Sequence, residues 1–411
     1  MRSGLPVMGN ERSDILDILR GFALLGIFLA NSAAFSLYVM RTPGMQAELA
    51  TAEADRWLFW LHYIFIDGKF YSLFSLLFGI GFSIIFLRNS NKGINPLPVF
   101  YRRLVILFLI GFAHAFILWE GDILMFYAVI GLFLPLFRNL KGRTLITIAV
   151  CLLLSPLLFD LAKVLTGGRW DLSKPILEQA MAGDLKYGIN ETNASYWLIE
   201  NTRLSDLLIW NKGGFWWNTF FRISSNRPVK VLALFLIGLY VGKNMIYSKL
   251  EDYRSLLRKI RLVGFTIGIP AGIFHAYSRL NGKALPDPEG LWDTLFYALN
   301  VTPLALAYAS TFALWYVNGK HLKLLSPLRH VGRMALTNYL MQSVIGILVY
   351  YGLGLGLGAF AGPAIFMPIA VGVFIFQVLY SKLWMKYFHY GPAEWIWRQL
   401  TYFKRLPILR K

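Results

Sequence analysis

The sequence has very few cysteines and few charges. Its 411 residues include one cysteine, Cys151, so the chain cannot form an intrachain disulfide. Charged residues make up only 15% of the chain, whereas hydrophobic residues make up 56% and aromatic residues 16%. So few charges cannot cover the surface of a water-soluble protein of this length. The composition therefore excludes an ordinary soluble enzyme and indicates an integral membrane protein in contact with a lipid bilayer.

Long apolar runs occur ten times along the chain. A helix needs roughly 20 residues to cross a hydrocarbon core of about 30 Å, and each run approaches or exceeds that length. The runs lie near residues 15–39, 69–87, 101–119, 122–137, 144–165, 229–245, 260–277, 291–316, 334–358 and 364–385. Because lipid offers no hydrogen bonds to the backbone, these runs must be helical. The sequence predicts an all-α integral membrane protein with about ten transmembrane helices, forming one polytopic domain over residues 1–411.

Acidic residues are scarce relative to basic ones, which gives a net charge of +19. Such a charge suggests a nucleic-acid partner when it forms one patch, but here the basic residues alternate with the predicted loops. They concentrate in residues 88–103, 138–143, 243–261 and 320–333 and in both tails. By the positive-inside rule, these segments lie in the cytoplasm. We therefore expect no nucleic-acid partner, and a multi-pass protein of the cell (inner or plasma) membrane with both termini cytoplasmic.

One long segment without a predicted span, residues 166–228, separates the fifth and sixth spans. Its stretch "YWLIENTRLSDLLIW" repeats apolar residues at three- and four-residue steps, which is typical of an amphipathic helix. The following "GFWWNTFF" has the tryptophan and phenylalanine content of an anchor at a membrane interface. We expect this segment to form an extracytoplasmic helical cap.

A single histidine interrupts the apolar third span in "GFAHAFILWEGDILMFY". Polar groups inside a bilayer are costly and are therefore functional candidates. His114 precedes Trp119 by five residues, or about 7 to 8 Å at 1.5 Å per residue, which places it in the outer leaflet. We predict that His114 is a general base facing an outer cavity and that Asp122 orients it. Alternatively, His114 donates to a helix carbonyl and Asp122 caps its helix.

Polar side chains also enter from the cytoplasmic side. Arg20 follows Asp17 by three residues on one helix face, so the two either pair with each other or leave Arg20 to bind a ligand. Asn31 lies on nearly the same face, eleven residues further on. The ninth span opens with a second polar group, consisting of Arg333, Asn338, Gln342 and Ser343. No two histidines have metal-ligand spacing on one helix, so we predict no metal site. No Ser-His-Asp or P-loop pattern is present in the sequence.

The first span, "LDILRGFALLG" followed by Asn31, resembles the opening helix of transmembrane acyltransferases. The acyltransferase-three family has a catalytic histidine at the place of Asn31, and the heparan-alpha-glucosaminide N-acetyltransferase branch has asparagine there. The further motifs resemble those of the YeiB-like bacterial inner-membrane family of the same clan, over nearly the whole chain. They are "KFYSLFSLLFGIGF", "GFAHAFILWEGDIL", "GRMALTNYLMQS" and "GPAEWIWRQLTY".

The resemblance implies an acyl-coenzyme A donor entering from the cytoplasm and an acceptor, often a sugar, at the outer face. Because Asn31 replaces the family histidine, the base must lie elsewhere, and His114 is our choice. The residues that we predict to bind substrate or coenzyme are Arg20, Asn31, Lys69, Arg102, Arg103, Arg333, Asn338 and Gln342. The acyl group, the extracytoplasmic acceptor and assembly into a homodimer stay open.

Two other functions are compatible with the same sequence. A transporter or flippase of a small polar solute or lipid-linked molecule would use the polar side chains as a permeation path, without covalent chemistry. A membrane scaffold or sensor is the third reading. The sequence names no substrate.

Overall fold

The computed structural model describes residues 13–319 and 321–410. Within these residues the regular structure consists of 17 α-helices and short 3-10 and π turns, with no strand. One isolated bridge between Phe388 and Leu409 is the exception to purely helical pairing. The predicted all-α class is confirmed.

Seven helical segments are long and apolar enough to cross a membrane by their length and composition. They comprise α1 (Asp14–Phe35), α3 with α4 (Ala52–Phe65 and Lys69–Asn91), α5 (Leu97–Ala113, continued by a turn to Leu118), α7 (Gly142–Leu165), α12 (Arg254–Asn281), α13 (Gly290–Val317) and α16 (Pro363–Tyr387). The shorter helices are α2 (Pro43–Ala47), α6 (Leu124–Gly131), α8 (Lys174–Lys186), α9 (Ala194–Glu200), α10 (Leu204–Ser224), α11 (Arg227–Lys243), α14 (Leu322–Arg333), α15 (Ala335–Tyr350) and α17 (Pro392–Tyr402). These long apolar helices are consistent with a multi-pass helical membrane protein.

Three of the ten predicted spans coincide with shorter helices, namely α6, α11 and α15. The fourth run is divided, because α6 ends at Gly131 and a 3-10 turn follows over Leu134–Phe137. Pro135 lies in that turn, and proline has no backbone N–H for a continuing α-helix. The count of ten spans stays a prediction.

The segment over residues 166–228 is helical, as expected, but its helices begin and end elsewhere. The run predicted as one amphipathic helix is divided into α9 and α10 at residues 201–203. The Asp206 side chain accepts the backbone N–H of Arg203 at 3.0 Å, an interaction typical of a new helix start. Helix α10 therefore includes the tryptophan-rich stretch, and it packs against α8 and the turn after α5.

Glycines let two pairs of helices approach backbone to backbone. A Cβ atom at Gly79 of α4 would overlap the carbonyl of Phe235 in α11, and one at Gly21 of α1 would overlap the carbonyl of Leu328 in α14. Small residues permit such close approach where helices associate in lipid. The α4–α11, α1–α14 and α12–α13 pairs have the most extensive contacts between helices. Around one cavity lie the end of α1, the start of α4, the end of α5, α10 and α15.

Candidate functional site

The predicted base lies at the end of α5, where the helix widens. Residues His114–Leu118 form a π-helical turn, and the Trp119 N–H donates to the His114 carbonyl at 2.8 Å. Turns of this kind occur frequently at functional sites. The chain then becomes extended at Trp119 and reverses towards α6. His114 is the first residue of the wider turn, and it is 2% exposed.

The structure brings the two predicted catalytic residues into hydrogen-bond contact. His114 Nδ1 lies 3.1 Å from Asp122 Oδ1, and both side chains are buried. The other carboxylate oxygen of Asp122 accepts the backbone N–H of Met125 at 2.6 Å, so the residue also caps the start of α6. The Asp122 carbonyl accepts a hydrogen bond from the guanidinium of Arg222. Asp122 therefore combines an orienting contact with a capping contact.

The second imidazole nitrogen contacts a serine that the sequence analysis had not connected with it. His114 Nε2 lies 2.8 Å from Ser343 Oγ on α15, a residue 229 positions away. Because a carboxylate only accepts hydrogen bonds, Nδ1 carries the proton in a neutral imidazole at this position, and Nε2 then accepts from the serine hydroxyl. No sequence pattern indicated this Ser-His-Asp arrangement, because the three residues converge only in the folded chain.

A large cavity of about 1140 Å³ adjoins this hydrogen-bonded group. It lies between α1, the turn before α4, the turn before α6, and the segment from α8 to α10. Tyr339 and Trp119 line the cavity, and their ring centres lie 5.1 and 6.5 Å from the His114 ring. His114 thus lies behind the cavity wall. The expectation that its imidazole faces the cavity is wrong for this conformation, because both ring nitrogens are bonded inward.

The cavity lining combines aromatic rings with charges of both signs. Pockets lined by aromatic side chains with a few placed polar groups are typical ligand sites. Asn31 is the predicted binding residue that lines the cavity, and the charged lining residues are Arg41, Asp67, Glu120, Asp184, Glu191, Arg222 and Arg227. Trp210 Nε1–H donates to Glu120 Oε1 at 3.2 Å, and burial raises the pKa of Glu120 to about 7. This carboxyl therefore exchanges its proton near neutral pH.

Arg20 and Arg333 lie in an ion cluster near the start of α1. Arg20 Nη1 is 2.7 Å from Asp17 Oδ1, so the pairing that the sequence left as an alternative is present. Arg333 lies 3.4 Å from Asp17 and 3.3 Å from Asp14, and Arg329 lies 2.7 Å from Asp14. Among the described residues, three guanidiniums therefore contact two carboxylates at the start of α1.

The remaining predicted basic residues pack against neighbouring chain segments. The guanidinium of Arg103 lies 4.1 Å from the centre of the Trp397 ring, and that of Arg102 lies 5.0 Å from the Phe403 ring. Lys69 is fully buried and donates to the Tyr63 carbonyl at 2.6 Å. Arg102 and Arg103 thus contact the C-terminal segment, whereas Lys69 ties α4 to α3.

Asn338 and Gln342 belong to an amide network between α15 and α16. Gln342 donates to Gln377 at 2.9 Å, Gln377 donates to the Asn338 carbonyl at 2.9 Å, and Asn338 donates to Ser381 at 2.9 Å. Hydrogen bonds of this kind hold helices together in lipid. The network fixes the position of α15, and so of Ser343.

Four residues that line the cavity were not predicted from the sequence as site residues, namely Asp67, Arg222, Arg227 and Tyr339. A signal existed for the two arginines. They lie in the segment predicted to be extracytoplasmic, where arginine is less common than in cytoplasmic loops. The position of Tyr339 one helical turn before Ser343 gave no such signal, because tyrosine is common in membrane helices.

A model of the family described as a protein of unknown function (DUF418) matches residues 241–404. The uncharacterized protein YxaH of Bacillus subtilis is 33% identical over 423 residues, covering 100% of this chain and 99% of that protein. The chain belongs to the YeiB-like DUF418 family. YeiB of Escherichia coli is 28% identical over 412 residues, covering 95% of this chain and 96% of YeiB. A 39.9 kDa protein of Bacillus acidopullulyticus is 28% identical, covering 99% and 98%. No solved structure matches the chain significantly.

The region that matches DUF418 contains only one of the three hydrogen-bonded residues, Ser343. Residues 241–404 include Tyr339 and Ser343 on α15, whereas His114 and Asp122 lie before the matched region. The relatives, in contrast, align over nearly the full chain. In this DUF418 protein, the site is therefore completed by residues from both halves of the sequence.

Proposed function

We propose that this DUF418 protein is a membrane acyltransferase that moves an acyl group from acyl-coenzyme A to a hydroxyl or amine acceptor. The observation that carries the proposal is His114, held at Nδ1 by Asp122 with Nε2 against a hydroxyl beside a large cavity. A histidine base whose other ring nitrogen is held by a carboxylate is a recurring arrangement in acyl-transfer enzymes. The resemblance of "LDILRGFALLG" to transmembrane acyltransferases supplies the class of donor.

The cavity is the proposed chamber for the acceptor. Its volume of about 1140 Å³ exceeds that of most pockets for small molecules, so it accommodates a sugar or a comparable polar molecule. Aromatic rings such as Trp210 and Trp217 offer flat apolar faces, while Asn31 and the charged residues offer hydrogen bonds to hydroxyl groups. Both kinds of contact favour a molecule that is polar at its edges and apolar on its faces.

The arginine cluster at the start of α1 is the proposed contact for the coenzyme phosphates. Arg20, Arg329 and Arg333 lie close together there, since they contact the neighbouring carboxylates Asp14 and Asp17, and guanidiniums bind phosphate with two parallel hydrogen bonds. Arg20 precedes the cavity residue Asn31 by eleven residues, or about 16 Å along α1. Donor and acceptor would therefore approach from opposite ends of this helix.

The proposal includes a topology of ten spans with both termini cytoplasmic and the segment over residues 166–228 outside, in the cell membrane. The alternation of basic loops supports it. We expect reporter fusions after Lys141 and after Lys411 to show cytoplasmic activity, and a fusion within residues 166–228 to show external activity. An external reporter after Lys411 would contradict the span count, and the two-sided arrangement would have to be redrawn.

A transporter is the second candidate function, and a different wall of the cavity favours it. Asp67 lines the cavity, and its Oδ2 lies 3.9 Å from His275 Nε2. His275 Nδ1 in turn lies 2.8 Å from Asp293. Chains of histidine and carboxylate in membrane helices are typical of proton pathways in transporters. Such a protein would move its solute without covalent chemistry.

Thermal stabilisation by the donor separates the two functions. A ligand that binds only the folded state stabilises it by mass action, by about 2.7 kcal/mol at 100 times its Kd. We expect acetyl-coenzyme A to raise the melting temperature of the purified protein in detergent, and free adenine nucleotides to raise it less. The Arg20→Ala variant should lose part of this shift. If none of several acyl-coenzyme A species stabilises the protein more than free adenine nucleotides do, the result would favour the transporter.

A further inference from the structure

We propose that Ser343 is the first acceptor of the acyl group, so that transfer runs through an acyl ester on the Ser343 hydroxyl. The inference rests on the proposed acyltransferase function and adds a covalent intermediate to it. It makes Ser343 a catalytic residue, with His114 as its base and Asp122 as the positioning residue behind that base.

The hydroxyl of Ser343 is directed differently from those of other buried helical serines. Ser32, Ser72 and Ser75 each donate to the carbonyl four residues earlier, as serine in a helix commonly does. Ser343 Oγ instead lies 2.8 Å from His114 Nε2. A nucleophile and base within hydrogen-bond reach, with the base oriented by a third group, is the geometry of an activated serine.

The position of Ser343 along its helix gives a reason for a covalent intermediate. Ser343 lies eight residues after Ala335 and seven before Tyr350, the ends of α15, so it is near the middle of the helix. The phosphates of a coenzyme cannot enter the bilayer with the acyl group. A serine between the two ends of α15 can accept the acyl group from one side and release it to the other, so donor and acceptor do not have to meet.

The two steps balance with these residues alone. Ser343 Oγ attacks the thioester carbonyl while His114 Nε2 takes the hydroxyl proton; the carbon–sulfur bond breaks, and the departing thiolate takes that proton from His114. In the second step, His114 deprotonates the acceptor hydroxyl or amine, which attacks the acyl ester. The bond from the acyl carbon to Ser343 Oγ then breaks, and Oγ recovers its proton from His114.

Tyr339 is placed to assist both steps. It lies one helical turn before Ser343, packs against the His114 ring and lines the cavity. Its hydroxyl oxygen accepts the Ile123 N–H at 3.3 Å, which leaves its own proton to donate to the oxyanion of the tetrahedral intermediate. Because its ring both lines the cavity and packs on the imidazole, movement of this ring would open a path from the cavity to His114.

The first experiment detects the intermediate. The purified full-length protein is incubated with radiolabelled acetyl-coenzyme A, denatured and digested, and the label is located by mass spectrometry. We expect label on the Ser343 peptide of the wild type and of a Ser32→Ala control, whose serine bonds only its own helix. Ser343→Ala should carry no label there and should lose roughly 10³- to 10⁶-fold in thioester turnover.

A conservative variant gives a readout that a structural serine would not produce. Ser343→Cys keeps a nucleophile, so its label should be a thioester that neutral hydroxylamine removes, whereas the wild-type ester should resist. A purely structural hydroxyl predicts no label in either protein. Melting temperatures of all variants are measured alongside, so that a misfolded variant is recognised.

Failure of the inference and failure of the proposed function are distinguishable. A fluorophosphonate probe reacts with an activated serine without any coenzyme, as the phosphorus–oxygen bond forms and fluoride leaves. Labelling of Ser343 by the probe in a protein without thioester turnover would refute the acyl-coenzyme A function and keep the nucleophile. Thioester turnover retained in a folded Ser343→Ala protein would refute the nucleophile and keep the function. The inference would also be overturned if Ser343 carried neither the fluorophosphonate probe nor an acyl label.

Discussion

Replacing His114 by glutamine should lower acyl-coenzyme A turnover by roughly 10²- to 10⁴-fold, the usual contribution of general acid-base catalysis. Glutamine retains a hydrogen-bonding side chain between Asp122 and Ser343, but it cannot accept a proton at neutral pH. The melting temperature and the stabilisation by acetyl-coenzyme A should therefore change little. The loss is measured as thioester cleavage by the protein in detergent, which is monitored through the free thiol that it releases. This assay does not require the acceptor.

Asp122→Asn is the matched comparison for this prediction. Asparagine still accepts the Met125 N–H at the start of α6, so the helix cap is retained, while the negative charge beside the imidazole is lost. We expect a smaller loss of turnover than for His114→Gln, because the base itself remains. Near-normal turnover in a folded His114→Gln protein would remove His114 from the chemistry. His62 would then be the next candidate, although its ring is buried and stacks on Phe59.

The second large effect concerns the contact between α4 and α11. Gly79→Val should strongly destabilise the protein, because even a Cβ atom at this position would overlap the Phe235 carbonyl. Backbone cannot yield as a flexible side chain does, so the two helices must separate. Overpacking of this kind typically costs about 1 to 3 kcal/mol, occasionally more. The melting temperature in detergent and the yield of monodisperse protein measure the effect.

Gly81 provides the control on the same helix, two residues away. A Cβ atom at Gly81 would meet no described atom within 4 Å. Gly81→Val should therefore leave the melting temperature close to that of the wild type, since it adds the same side chain to the same helix without a steric conflict. Equal losses in the two variants would show that valine destabilises α4 for a reason other than its contact with α11.

The sequence alone determined the helical class and predicted the pairing of His114 with Asp122 as one of two alternatives. Both follow from local information, because apolar run length specifies a membrane helix and a two-residue turn brings consecutive helices together. Local spacing also identified the Arg20–Asp17 pair, although it left open whether Arg20 pairs or binds a ligand. The sequence did not give the limits of all helices. The fourth apolar run is divided at the turn that contains Pro135, and α10 begins as a separate helix where Asp206 makes its capping contact.

The tertiary structure alone decided which polar residues share a site. Ser343 reaches His114 across 229 residues, and no periodicity relates them, because the contact depends on how α15 packs against the end of α5. The same packing places Asn338 and Gln342 in a network between helices. From the sequence, these two residues and Ser343 were equally good candidates for the site. Spacing along one helix fixes which residues share a face, but the neighbours of that face are fixed only by the packing of the other helices.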